Sequence, residues 1–169
     1  MKRALLITER FAPDLGGVAR SSARIADAFS DLDIDIEVFT WTKTLAPGSL
    51  ATVKRQGDTK SYPVRRLGLF ANWDLSLQHT LNSLHQLHEQ NPFDFIWGHY
   101  LFPAGFLATF FAKQVRVPCC VSARGNDIDQ MMFPPGDFSR LMWTLQNSSQ
   151  ITAVSSDLRN KIGILLGDH

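Results

Sequence analysis

The chain has 169 residues, 44% hydrophobic and 20% charged, a composition suited to one globular domain with a real core. A formal net charge of +1 gives no global basic field, so no nucleic-acid partner is expected. No apolar stretch reaches the length of a membrane span, and the run after Met1-Lys2-Arg3 stops at Ile7, too short for a signal segment.

The apolar run Ala4-Leu5-Leu6-Ile7 predicts a buried strand over residues 3–8. A helix follows over 18–31, with Val18, Ser22, Ile25, Phe29 and Leu32 on one face and Arg20, Arg24, Asp27 and Asp31 on another. Ile34 to Thr40 reads as a second strand, and residues 41–51 as a loop marked by Pro47-Gly48. Ala51 to Gln56 and Tyr62 to Leu69 read as two strands around the turn Gly57-Asp58-Thr59-Lys60. Trp73, Leu77, Leu81, Leu84 and His88 line one face of a helix that ends at Asn91-Pro92. Phe93 to Trp97 is the next strand, and Pro103 opens a helix carrying Phe106, Phe110, Phe111 and Lys113. Val117 to Ser122 is a strand, 124–136 a loop, Phe138 to Asn147 a helix, Gln150 to Val154 a strand, and Ser155 to Leu166 a serine-capped helix. The adjacent cysteines Cys119 and Cys120 point to opposite faces of their strand, which argues against a mutual disulfide and for a reduced, cytoplasmic setting.

Strands alternate with helices, so the predicted fold class is α/β: a doubly wound, mostly parallel, Rossmann-like sheet with helices on both faces. Short apolar strands suit a sheet covered on both sides. Ligands of such sheets bind beyond the carboxyl ends of the strands, which points to loops 9–17, 41–50, 98–103, 124–136 and 155–157.

In the first of these loops Gly16-Gly17 opens a helix. Its unpaired N–H groups carry partial positive charge, and glycine lets a phosphate approach the backbone. A tight turn that needs glycine only for its dihedrals is the competing reading. The sequence has neither G-x-G-x-x-G after its first strand nor G-x-x-x-x-G-K-[ST], so dinucleotide and nucleoside-triphosphate sites lose their main support. Arg124 leaves a strand at its carboxyl end and offers a fork of donors to an oxyanion. Asp127 either binds sugar hydroxyls or orients Arg124; the alternative is a turn in which Asn126 and Asp127 cap their own backbone. His99 ends another strand on the same rim and is a candidate for proton transfer or sugar binding, against a packed histidine bonded to backbone. Neither Asp127-x-Asp129 nor His85-x-x-His88-Glu89 converges as a metal site, so no metal is expected. Lys54-Arg55 and Arg65-Arg66 form a basic cluster, either a solvated hairpin or a peripheral contact for anionic lipid at the inner face of a membrane.

Phe11-Ala12-Pro13-Asp14-Leu15-Gly16-Gly17-Val18-Ala19-Arg20 resembles the N-terminal loop of the family 4, or "group 1", glycosyltransferases of GT-B fold. Glu37 to Thr40, Asp94 to His99, Pro118 to Asp127 and Ile151 to Ser155 resemble four further segments of that family, in the same order. The resemblance implies two Rossmann-like domains across a cleft, the N-terminal one holding the acceptor and the C-terminal one the nucleotide-sugar donor. It implies transfer with retention of anomeric configuration, the leaving diphosphate helping to deprotonate the acceptor, a nucleotide-sugar as co-substrate and no cofactor. Gly16, Gly17, Arg20, Asp127 and Ser155 are then expected to bind substrate or donor phosphate, with His99 and Arg124 in catalytic positions. Many members carry histidine where this chain has Arg124; arginine keeps the donors but is no neutral base. Residues 1–169 are expected to form one N-terminal domain, ending at Gly167-Asp168-His169 where the family's interdomain linker begins. The C-terminal donor-binding domain then lies outside this sequence, and the chain alone is expected not to turn over. The acceptor is a glycan, lipid or small molecule. Two alternatives stand beside this: a stand-alone module for a phosphorylated small molecule, and a non-catalytic partner subunit.

Overall fold

A computed structural model describes residues 1–56, 61–125 and 127–167, with no account of the Gln56 side chain. The expected turn Gly57-Asp58-Thr59-Lys60, residue Asn126 and the terminal Asp168-His169 lie outside the described residues. The strands are β1 Arg3–Thr8, β2 Asp35–Thr42, β3 Leu50–Gln56, β4 Ser61–Gly68, β5 Phe95–His99, β6 Cys119–Ala123 and β7 Gln150–Ala153. The helices are α1 Gly17–Asp31, α2 Trp73–Gln90, α3 Phe106–Val115, α4 Asp127–Met131, α5 Pro135–Asn147 and α6 Ser156–Leu166. The sheet order is β3-β4-β2-β1-β5-β6-β7. Among the described strands only β3 runs antiparallel, paired with β4.

This order dictates which face each helix covers. Right-handed crossovers that step from β1 to β2 put their helix on one face; those that step the other way, to β5, β6 and β7, put theirs on the opposite face. Alternate residues of each strand serve the two layers. Ala4, Leu6, Ile36 and Val38 pack with Ala23 and Ala26 of α1. Leu5, Ile7, Phe39, Trp41, Ile96 and Val121 pack with α2, α3, α5 and α6.

Two expectations change. The buried stripe of α1 is Ala19, Ser22, Ala23, Ala26 and Ser30, while Leu32 is 71% exposed. Small side chains let the helix lie close on the sheet. Ile25 and Phe29 flank that contact, Phe29 standing edge-on to Phe95 and Trp97. Helices lie on both faces as expected, and Gln150 and Thr152 of the edge strand β7 are exposed. The loop 124–136 contains α4, and α5 begins at Pro135 rather than at Phe138, because proline is preorganised for a first helical turn. Several strand bounds also shift by one or two residues.

The chain order reverses at β1, flanked by β2 and β5, so the rim above β1 and β5 is the topological switch point. Thr8 and His99 are paired there at the strand ends. A wide turn over Leu101–Gly105 then leads into α3. It lies flat on β5 because Gly98 and Gly105 meet: a Cβ on Gly98 would stand 2.6 Å from Gly105 Cα. No described helix is long and apolar enough to cross a membrane.

Candidate functional site

The loop after β1 is fixed from behind. Ser22 Oγ donates to Arg10 O at 2.9 Å, Thr8 Oγ1 donates to the same carbonyl at 3.0 Å, and Arg66 donates to the carbonyls of Phe11 and Ala12. The loop ends at Gly16, whose φ of 132° and ψ of 171° suit glycine alone among the residues. No side chain caps α1 and no acid sits in its first turn. Nothing lies within 4 Å of where a Cβ would stand at Gly16 or Gly17. The start of α1 is therefore an open array of N–H donors with the helix dipole behind it. Arg20 is exposed one turn further on.

His99 faces this helix. Its Nε2 is 2.8 Å from Ser21 Oγ, the ring is fully buried, and Nδ1 has no partner among the described residues. Burial and then the charge of Arg124 lower its pKa from 6.5 to about 4, so the ring is neutral at pH 7. The unfolded chain binds the proton more readily between those two values. Stability from this group is thus complete above pH 6.5 and is lost as pH falls towards 4, by about 3 kcal/mol in all. Urea midpoints of the wild type are expected to drop more steeply across that window than those of His99→Gln; parallel curves would contradict this.

Asp127 is turned inward, 1% exposed. Its carboxylate accepts from the N–H groups of Arg124 (3.1 Å), Gly125 (3.1 Å) and Leu101 (3.3 Å), the last on the neighbouring connection. Of the roles open from the sequence, this geometry is that of the capping turn: the carboxylate holds the backbone of its own loop, and its bonds to Arg124 and Gly125 are to their backbone N–H groups. Tyr100 lies between, at φ +93°, a strained value for a non-glycine residue. Burial, then the charges of Asp127 and Glu9, raise its pKa. Gly16, Gly17, His99, Arg124 and Asp127 thus share one rim.

Ser155 lies further along that rim and caps α6, its Oγ accepting from Leu158 N at 3.2 Å. The three arginines of the basic cluster are engaged within the fold, and Lys54 is exposed. Arg55 pairs with Asp27 at 3.3 Å, Arg65 with Glu37 at 2.5 Å, and Arg66 holds the loop carbonyls. His85 bonds to Gln114 and His88 accepts from Phe93 N. Among the described residues no group of three histidine, cysteine or acidic side chains could hold a metal ion. Cys119 and Cys120 are both free thiols.

The glycosyl transferase 4-like domain pattern matches residues 16–165. The chain belongs to the glycosyl transferase 4-like family. No curated protein matches it by sequence. Among solved structures, sucrose-phosphate synthase from Thermosynechococcus elongatus is similar at a TM-score of 0.69 and 11% identity, over 97% of this chain and 45% of that one. UDP-GlcNAc 2-epimerase from Methanocaldococcus jannaschii gives 0.64 and 13%, over 100% of this chain and 43% of that one. Trehalose 6-phosphate synthase from Burkholderia multivorans gives 0.63 and 14%, over 98% and 43%. This chain spans less than half the length of each. Synthases and an epimerase share this half-fold, so the likeness itself establishes the Rossmann-like architecture and not the reaction.

Several residues on this rim of the glycosyl transferase 4-like domain are brought together only by the fold. Ser21 touches His99 across 78 positions of sequence, a contact that only the fold brings about. Glu9, Arg10, Asp14, Trp41, Lys43 and Trp73 line an open cleft of ≈ 540 Å³ beside the loop after β1. Their one legible signal was that two of the loops flanking it, 9–17 and 41–50, follow strand ends.

Proposed function

We propose that this chain is the acceptor-side half of a retaining glycosyltransferase, which transfers a sugar from a nucleotide-sugar to a glycan, lipid or small-molecule acceptor. A donor-binding half, joined or separate, works with it across the rim. The observation that carries this reading is the uncapped start of α1, Gly16-Gly17, on the same rim as Arg124, whose charge acts on the His99 ring facing that helix. An anion placed there meets helix N–H groups and a guanidinium together. In transfer the bond from the sugar's anomeric carbon to the diphosphate breaks on the face where the acceptor hydroxyl attacks. The hydroxyl's proton passes to the departing diphosphate oxygen. Charge growing on that oxygen is what the helix and Arg124 stabilise. Gly16, Gly17 and Arg20 serve the diphosphate, Asp127 holds Arg124 in place, and the cleft by Glu9 and Trp73 takes the acceptor. Ser155 serves as helix cap and rim contact.

The test is nucleotide-sugar-dependent transfer by this chain together with its donor-binding half, with the product's anomeric configuration read by NMR. A retained configuration is expected. An inverted product would overturn the mechanism, and absence of transfer to any hydroxyl acceptor would overturn the function.

A further inference from the structure

Two polar groups on the rim are each incomplete, and in complementary ways. Ser21 Oγ donates to Val18 O at 3.0 Å, so its proton is committed and its oxygen accepts from His99 Nε2 at 2.8 Å. With the hydroxyl proton placed on Val18 O, the imidazole is assigned the Nε2–H tautomer, in which Nδ1 is a bare acceptor. Nδ1 is buried with no partner among the described residues, a costly state for an acceptor. Arg124 has the opposite imbalance. Its hydrogen bonds among the described residues come from the backbone N–H alone, and its guanidinium carries donors and no acceptor.

The sheet brings the two together. His99 is paired with Ser122 across the parallel β5–β6 ladder. Arg124 stands one residue past the end of β6, two past Ser122, and its charge acts on the His99 ring. Asp127 clamps both connections, accepting from Arg124 N and from Leu101 N, the latter two residues past His99.

We infer that His99 is the positioning residue for Arg124: Ser21 sets the tautomer, and Nδ1 accepts one guanidinium N–H, so that the remaining donors are aimed at the start of α1. A neutral ring can do this; a protonated ring has no lone pair to offer. One N–H bound to the ring still leaves a pair of parallel donors for an anion's two oxygens. The consequence for sugar transfer rests on the function proposed above, whereas the hydrogen bond does not.

The experiment is long-range 1H–15N NMR of the His99 ring in the ligand-free chain at neutral pH, for wild type, Arg124→Ala and Ser21→Ala. Expected for the wild type is a protonated Nε2 and an Nδ1 signal displaced from the free-acceptor position. Arg124→Ala keeps the tautomer and moves Nδ1 to the free position, and Ser21→Ala mixes the tautomers. In the transfer assay His99→Leu is expected to lose about 10²-fold, as Arg124→Ala does, and the double variant to lose no more than either. His99→Asn, which returns an acceptor oxygen near Nδ1, restores most of the rate. An Nδ1 signal identical in wild type and Arg124→Ala, an Nδ1–H tautomer, or additive losses would each overturn the inference. The expected ring signals without transfer by any form would uphold it and count against the proposed function instead.

Discussion

Replacing Arg124 with alanine is expected to lower the rate of sugar transfer by about 10²–10³-fold, with the fold unchanged. The side chain is half-exposed, and its backbone position depends on Asp127 rather than on the guanidinium, so removing the fork leaves the loop in place. What is lost is a charged donor pair facing the oxygen on which charge develops. That interaction strengthens as the bond to the diphosphate breaks, so the loss belongs in kcat more than in KM. Arg124→Lys is expected to fall between, since lysine keeps a charge but not the planar fork. Steady-state kinetics over a range of nucleotide-sugar concentrations separates the two constants. An unchanged kcat for Arg124→Ala would remove this residue from the mechanism.

Glu37→Ala is expected to cost about 3–5 kcal/mol of stability, a large part of the 5–15 kcal/mol typical of a domain. Glu37 is 1% exposed in the middle of the sheet. One carboxylate oxygen accepts from Arg65 Nε at 2.5 Å and the other from the Arg3 guanidinium. Arg3 also donates from its backbone N to Asp94 at 2.6 Å, bonds the Asn91 carbonyl and lies 4.1 Å from the Phe93 ring centre. Truncating Glu37 leaves the partly buried Arg65 guanidinium with no counter-charge among the described residues, and leaves Arg3 with Asp35 alone, Nε to Oδ2 at 3.4 Å. Urea denaturation monitored by tryptophan fluorescence measures the loss. A midpoint within error of wild type would mean that water already solvates this cluster. The double variant Glu37→Met with Arg65→Met is expected to recover much of the loss, because removing both partners leaves less uncompensated charge.

The order of strands and helices was legible because each element carries its own period. β1 and β2 are short apolar runs, and α2 repeats leucine at helical spacing, with its stop at Asn91-Pro92. The rotation of α1 was not legible. Large residues such as Val18 and Ile25 suggested the core face, yet alanines and serines make the close contact, and distance to the sheet is a tertiary property. The glycines at 16 and 17 were readable as a loop that opens a helix, and the structure adds that Gly16 holds a backbone conformation closed to other residues. Arg124 and Asp127 were readable as neighbours in sequence. The partnership of His99 with Ser21, and that of Glu37 with Arg3 and Arg65, join positions dozens of residues apart and leave no local pattern.

Calorimetric titration of the 169-residue chain with UDP- and GDP-sugars, alone and then with the donor-binding half supplied, tests the central claim most directly. The account predicts no micromolar binding by the chain alone, and both binding and transfer once the donor-binding half is present. Micromolar binding of a nucleotide-sugar by this chain alone, or sugar transfer by it alone, would contradict the account and make the chain a complete ligand-binding unit.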